Sequence, residues 1–302
     1  MNKSVCVFGL AALSFSSAHA AAFGGWNLVV ANDLTFSSSE VDGSAIIGGN
    51  LLGGTSNYSI RAVTAVNGTG LAIGGSLAAG ATVNINNSGD FRIGNTADIL
   101  GTANVNGGQT IQDASVAATA ASLIAQAQAD SAFLGGLNAT GVVDGAGNIN
   151  GNANTMIGGL NVAIFDLTQT QVDSGLGQLN LNMGSADTVI INYSTGGTGA
   201  VDLSAPPNLI GGFNQQNSAR ILWNFVDATA ITINNNFNGT ILAPDATLSV
   251  NGGGINGSVV VDSILVQDAE IRLNLYTGFI PSPSASALFG CAGLLALRRR
   301  RA

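Results

Sequence analysis

The feature that most limits how this chain can fold is a short repeat with no chemistry in it. Gly239-Thr240-Ile241-Leu242 and Gly257-Ser258-Val259-Val260 stand eighteen residues apart, and so do Asp227-Ala228-Thr229 and Asp245-Ala246-Thr247. A second echo, Ile-Gly-Gly followed by a polar residue and Leu, runs from Ile47 to Leu51 and again from Ile73 to Leu77. Between such echoes lie short β-branched runs bounded by Gly and Asn: 45–47, 82–85, 188–193, 221–225, 231–233, 240–242, 247–250, 258–261 and 264–266. Runs of this length with turn punctuation are strand signals. An imperfect period near twenty suits coils that stack at about 4.8 Å and close one another's sheet hydrogen bonds. The expectation is a mostly β chain built as a right-handed parallel β-helix, or solenoid, with Val, Ile and Leu inside and Gly and Asn at the corners. A β-sandwich is the competing fold, because Asn-Gly turns also favour hairpins.

One segment departs from the pattern. Residues 113–134 are rich in alanine and are followed by Gly135 and Gly136, and Val116, Ala120, Leu123, Ala127 and Leu134 recur at helical spacing with Asp130 interrupting the row. This predicts one long α-helix packed on the flank of the solenoid, with Asp113 as its N-cap.

The ends of the chain read as processing segments. Lys3, an apolar run from Val5 to Phe15 and the small-x-small site Ala18-His19-Ala20 form a secretory signal over 1–20, with cleavage expected before Ala21. At the other end, Pro281-Ser282-Pro283 precedes an apolar stretch from Ala285 to Leu297 and the cluster Arg298, Arg299, Arg300 and Arg301. That stretch is shorter than the roughly 20 residues that span a bilayer, which fits a sorting tail over 281–302. The order Pro-x-Pro, apolar stretch, arginine cluster resembles the PEP-CTERM tail. That resemblance implies an exosortase-like sorting enzyme as partner and transient membrane attachment, with Ser282 where the family usually has Glu.

Without those ends, residues 21–280 hold no His, Cys or Lys, and four arginines stand against seventeen carboxylates, a formal charge of −13 (4 − 17). Such a surface repels nucleic acid and anionic lipid, so nucleic acid is not an expected partner. Without imidazole, thiol or amine, the Ser-His-Asp, Cys-His and Schiff-base mechanisms each lack a group, and His/Cys zinc sites cannot form. Carboxylate chemistry remains. The close pairs Glu40/Asp42 and Asp268/Glu270 have i, i+2 spacing that would place each pair on one strand face, and they could cleave glycosides or hold Ca²⁺. Solvated strand edges are the simpler reading of the same carboxylates. Trp26 and Trp223 read as core, while Tyr58 and Tyr193 lie nearer turns, where a sugar could stack. Ice binding would need Thr-x-Thr aligned coil after coil, and Thr82, Thr229, Thr232, Thr240 and Thr247 do not form that motif.

Longer stretches carry a family resemblance. Trp26 to Thr35, Ser39 to Gly43 and Ile46 to Asn50 resemble the opening of the choice-of-anchor A domain, and Ile221 to Phe225, Phe237 to Pro244, Asn256-Gly257 and Tyr276 to Gly278 resemble its close. The resemblance covers Phe23 to Gly278 and implies an exported surface adhesin with no catalytic residues. The expected function is therefore a surface-associated structural or adhesive protein binding extracellular polysaccharide or matrix protein through a broad non-catalytic face. A carboxylate-dependent polysaccharide-cleaving enzyme and an ice-binding protein are the alternatives. Self-association through unpaired strand edges is a further expectation.

Overall fold

The computed structural model describes residues 22–203 and 207–280; the expected signal over 1–20 and the expected sorting tail over 281–302 lie outside the described residues. The chain is mostly β. It forms a twenty-stranded sheet, almost wholly parallel, and a separate three-stranded parallel sheet, Asn148–Asn150, Gln178–Asn182 and Asn208–Gly211. Parallel pairing with partners one repeat apart excludes the sandwich, whose hairpins would pair neighbouring strands antiparallel. The one antiparallel pair in these sheets, Thr155–Ile157 with Leu160–Thr168, sits at the end of the stack.

The strands fall into three rows. Row A runs Thr110–Gln112, Asp90–Ile93, Thr69–Ile73, Ala45–Ile47, Leu28–Val30, Val259–Gln267, Thr240–Val250, Ile221–Phe225, Thr188–Ser194, Leu160–Thr168. Row B pairs Ala200–Leu203 with Ala230–Ile233, then uses the second halves of Thr240–Val250 and Val259–Gln267, followed by the first halves of Leu34–Val41 and Leu51–Tyr58. Row C runs Asn236–Asn238, Gly254–Asn256, Glu270–Arg272, the second halves of Leu34–Val41 and Leu51–Tyr58, then Thr82–Ile85 and Thr102–Val105. For Gly239–Leu242 and Gly257–Val260 the eighteen-residue echo is the register itself, Ile241 pairing with Val259 and Leu242 with Val260, whereas the Asp-Ala-Thr echo is one residue out of register, Thr247 pairing with Ala230.

Chain order and stacking order differ. Leu28–Val30 lies between Ala45–Ile47 and Val259–Gln267, so the first and last coils of the chain meet in the middle of the stack. From that seam the chain builds outward to Thr110–Gln112. Helix α1 (Val116–Gly135) then carries it back past the seam, and it returns from Leu160–Thr168 to close.

The central strands of row A read as unbroken apolar runs because they are buried on both faces, whereas Asp90–Ile93 alternates and the terminal Thr110–Gln112 is largely exposed. In Leu28-Val29-Val30, Leu28 and Val30 enter the inner core with Ile47, Leu51, Ile73 and Trp223. Val29 turns outward into a second core with Ile46, Leu242, Val260 and the helix residues Ala120, Ile124, Ala127 and Leu134. The Ile-Gly-Gly echo serves this second core. A Cβ on Gly48 would lie 2.1 Å from Ala31 O and 3.2 Å from Ala120 Cβ, and one on Gly74 would lie 2.9 Å from Ala117 Cα. Glycine there lets α1 lie directly on the sheet.

Two details of the helix differ from expectation. It starts at Val116 rather than 113, and Asp113 does not cap it: its carboxylate accepts from Ser115 N (3.0 Å) and Ser115 Oγ (2.6 Å) in the preceding turn. A side chain that satisfies a local Asx turn is not aimed at the first helical amides. Among the described residues no helix is long and apolar enough to cross a membrane.

Candidate functional site

An ordered exposed surface lies on the outward side of row C. Because side chains alternate along a strand, Ser56, Val83 and Ala103 point inward, as do Tyr58, Ile85 and Val105, leaving the residues between them outside. Register then aligns Ser38, Thr55, Thr82 and Thr102 in one file and Glu40, Asn57, Asn84 and Asn104 in the next. Strand spacing of about 4.8 Å and a two-residue rise of about 6.6 Å make this a regular grid of hydroxyls and amides.

The second file is bonded along its length. Asn104 Nδ2 donates to Asn84 Oδ1 (2.9 Å), Asn84 Nδ2 to Asn57 Oδ1 (3.0 Å), and Asn57 Nδ2 to Glu40 Oε1 (3.4 Å). A parallel rung, Asn106 Nδ2 to Asn86 Oδ1 (3.0 Å), extends it at the turn. These lateral bonds hold the amides in one orientation, and β-branched threonine is stiff at χ1. The groups are thus ordered before anything binds, which lowers the entropy cost of contact.

This grid was missed in the sequence because Thr82 was set beside threonines from other rows. Thr240 is buried, Thr229 donates to Gly199 O (3.2 Å), and Thr232 and Thr247 belong to row B, where Thr232 pairs with Ser249 and Thr247 with Ala230. The usable signal was Thr-x-Asn, repeated at Thr55-Ser56-Asn57, Thr82-Val83-Asn84 and Thr102-Ala103-Asn104, with the asparagines 27 and 20 residues apart.

The carboxylates fall differently from their spacing. Asp42 lies past the end of its strand and is buried, while Glu40 is exposed, so the i, i+2 pair does not share a face. Asp42 instead accepts from Leu273 N (3.0 Å) and stands 3.8 Å from Arg61. Asp268 sits in the turn after its strand and accepts from Ser37 Oγ, and Glu270 is bound by Arg272 at 2.7 Å. The pairing of Val41 with Ile271 sets Glu40 beside Glu270 across the seam of first and last coils. Among the described residues no group of three or more His, Cys, Asp or Glu could hold a metal.

The aromatic candidates are structural. Trp223 is fully buried, stacked with Phe213 at 5.3 Å and 28°, and Trp26 is buried too. Tyr58 and Tyr193 are fully buried, so neither is a sugar platform; burial pushes both phenols well above their usual range. Turn proximity was misleading because the strand ends are themselves core positions. A groove of about 240 Å³ lies where the three-stranded sheet parts from Asn236–Asn238, and its lining, including Leu203, Leu209, Ile233 and Phe237, has no ionisable side chain. Asp130 is a buried residue of α1 with Gln126 Nε2 at 2.8 Å, and desolvation pushes its carboxyl up to about 6.

Comparison with solved structures finds an ice-binding protein from the Antarctic ascomycete Antarctomyces psychrotrophicus at 13% identity and TM-score 0.36, covering 88% of this chain and 99% of that one. It also finds a glycosylated ice-binding protein (LeIBP) from an Arctic yeast at 15% identity and TM-score 0.32, covering 90% and 97% respectively. Comparison with curated proteins finds no match. A family model does match, over residues 19–273, and by that match the chain belongs to the family described as "Putative Ice-binding-like adhesive domain".

Proposed function

We propose that this chain is an exported, surface-associated structural and adhesive protein that binds extracellular polysaccharide or matrix protein through the outward face of row C. The observation that carries the reading is the pre-ordered Thr/Asn grid on Leu51–Tyr58, Thr82–Ile85 and Thr102–Val105. A repeating lattice of hydroxyls and amides matches a repeating polyhydroxy chain through many weak hydrogen bonds, and multivalent display compounds them. The adhesive description of the family agrees with this.

In this reading 1–20 is a cleaved signal, 21–280 is a choice-of-anchor A-like domain coiled as a right-handed β-helix, and 281–302 is a PEP-CTERM-like sorting tail handled by an exosortase-like enzyme. The reaction inventory is non-catalytic, and contact is expected to be independent of Ca²⁺, since Arg61 and Arg272 already stand against Asp42 and Glu270.

A second reading, ice binding, is favoured by the same file of Thr55, Thr82 and Thr102, which is in register after all. One experiment separates the readings. The protein is applied to an array of polysaccharides and matrix proteins with and without calcium, with released sugar assayed in the same wells and thermal hysteresis measured in parallel. Saturable binding without product supports adhesion. Hysteresis without array binding supports ice, and sugar release abolished by a single Asp→Asn change would move the protein among the carboxylate hydrolases.

A further inference from the structure

The two ends of the stack are finished differently. At the Leu160–Thr168 end the core is closed: Ile149, Ala163 and Phe165 are buried, with Val143, Val172 and Leu176 packed around them. At the other end the last strands are Thr102–Val105 and Thr110–Gln112, and among the described residues nothing pairs with their outer edges. The inward residues of that last coil, Ile99, Ala103 and Val105, are only partly covered, and Leu100 beside them is 61% exposed.

The edge is also chemically unfinished. Thr102 N and Asn106 N donate back into the stack, to Ala81 O and Ile85 O, both at 2.8 Å. The alternate amides, those of Ala103 and Val105, therefore face outward along the open edge with the Ala103 carbonyl between them, while Val105 O accepts from Gly107 N (3.2 Å). An open edge beside an uncovered apolar coil is the arrangement that recruits another strand.

The chain leaves in the opposite direction. Leu273 N bonds Asp42 at the seam (3.0 Å), Thr277 N bonds Ala219 O (2.8 Å), and Phe279 N bonds Thr188 Oγ1 (3.0 Å). A Cβ on Gly158 would lie 3.4 Å from the Phe279 ring. Residues 273–280 thus run across the coils toward the closed end, so Ile280 lies remote from Thr102–Val105.

We infer that the open end is a homotypic docking surface, on which a second copy of this chain pairs head to head. A strand edge related to its own copy by a two-fold axis pairs antiparallel and is self-complementary, and with one end of each stack closed, assembly stops at a dimer instead of growing into a fibre. The contact is small, so it is weak between free molecules and strong only when many copies face one another. Charge sets its salt response. Asp113 is paired with Arg92 (3.3 Å), but Asp98 lies on the same terminal coil, so two copies bring like charges together and added salt tightens the dimer. Where the tail holds the chain to a surface, as proposed above, the open end points outward and the dimer forms between opposing surfaces. The solution dimer does not depend on that reading.

The test uses the full chain, purified in mild detergent, in sedimentation velocity over a concentration series. The same protein is then coupled to beads through its C-terminus. The expected results are a monomer–dimer equilibrium that tightens with salt and clustering of the beads. Leu100→Lys and Ala103→Pro should each weaken the dimer about tenfold or more and abolish clustering, while the unfolding midpoint is kept; a proline whose lost amide faces an open edge breaks no ladder bond. Leu265→Lys, at a residue equally exposed on row B, should do neither. A chain that stays monomeric with dispersed beads, a dimer indifferent to both substitutions, or fibres in place of dimers would overturn the inference. Binding of the same variants to the polysaccharide array is read separately, so failure of the adhesive reading leaves this result interpretable.

Discussion

Replacing Asp130 by Asn should stabilise the protein at neutral pH and not at pH 4. Asp130 is 2% exposed, on the face of α1 that packs on row A, and has one side-chain hydrogen bond, from Gln126 at 2.8 Å. Desolvation raises its pKa from 3.8 to about 6. The folded state therefore holds the proton more tightly than the unfolded chain. Its cost is absent below the unfolded value, grows as pH rises from about 4 to 6, and is constant above. At 1.36 kcal/mol per pH unit this is at most about 3 kcal/mol at pH 8, and solvent relaxation around the helix reduces it to about 1–2. Asn is isosteric, carries no charge and can still accept from Gln126. The assay is urea or thermal unfolding of wild type and Asp130→Asn from pH 4 to 8. The difference between the two isolates this group from other carboxylates, such as Asp113 and Asp144, whose depressed pKa values make stability fall in acid. The variant should gain several degrees in Tm at pH 8 and nothing at pH 4. An equal loss at every pH would show that the carboxylate makes bonds the argument omits and would refute it.

Thr55→Lys with Thr102→Lys, both at exposed positions, should cut binding on the polysaccharide array at least tenfold while stability changes by no more than about 0.5 kcal/mol per site, read by array titration alongside unfolding. Gly74→Val should lift α1 off the sheet, since even a Cβ there reaches 2.9 Å from Ala117 Cα; a loss of about 1–3 kcal/mol and faster exchange of the α1 amides would be measured by hydrogen exchange. Asn224→Ala should cost about 1–3 kcal/mol, because Asn224 Nδ2 bonds Ser131 O (3.0 Å) and Asn192 Oδ1 (2.9 Å) and its Oδ1 accepts from Ser131 Oγ (2.6 Å), all buried. Chelation should leave array binding unchanged.

Much of the fold was legible because its causes are local. Gly-punctuated β-branched runs, an eighteen-residue echo and an alanine-rich segment specify short strands and one long helix through spacing and propensity alone, while the parallel pairing that excludes the sandwich is a property of the fold. The Ile-Gly-Gly echo marked aligned coils, although its reason, the approach of Ala117 and Ala120, is a contact between distant segments. Absence of His, Cys and Lys from 21–280 was likewise complete in the sequence and limited the chemistry without any coordinates.

Beyond the echo that aligns Ile241 with Val259, register and stacking order were not legible. Whether Thr82 stands alone or between Thr55 and Thr102 depends on coil lengths of 27 and 20 residues, which loops absorb without leaving a fixed period. Nothing local places Leu28–Val30 against Val259–Gln267, more than two hundred residues away; only burial of both faces of row A requires it. The same closure put Glu40 next to Glu270 and turned Asp42 inward, against what i, i+2 spacing implied. The sequence by itself determined the kinds of elements and the chemistry they can carry. The tertiary structure decided which side chains become neighbours, because a strand's partner is chosen by long-range burial and hydrogen bonding that no short window contains.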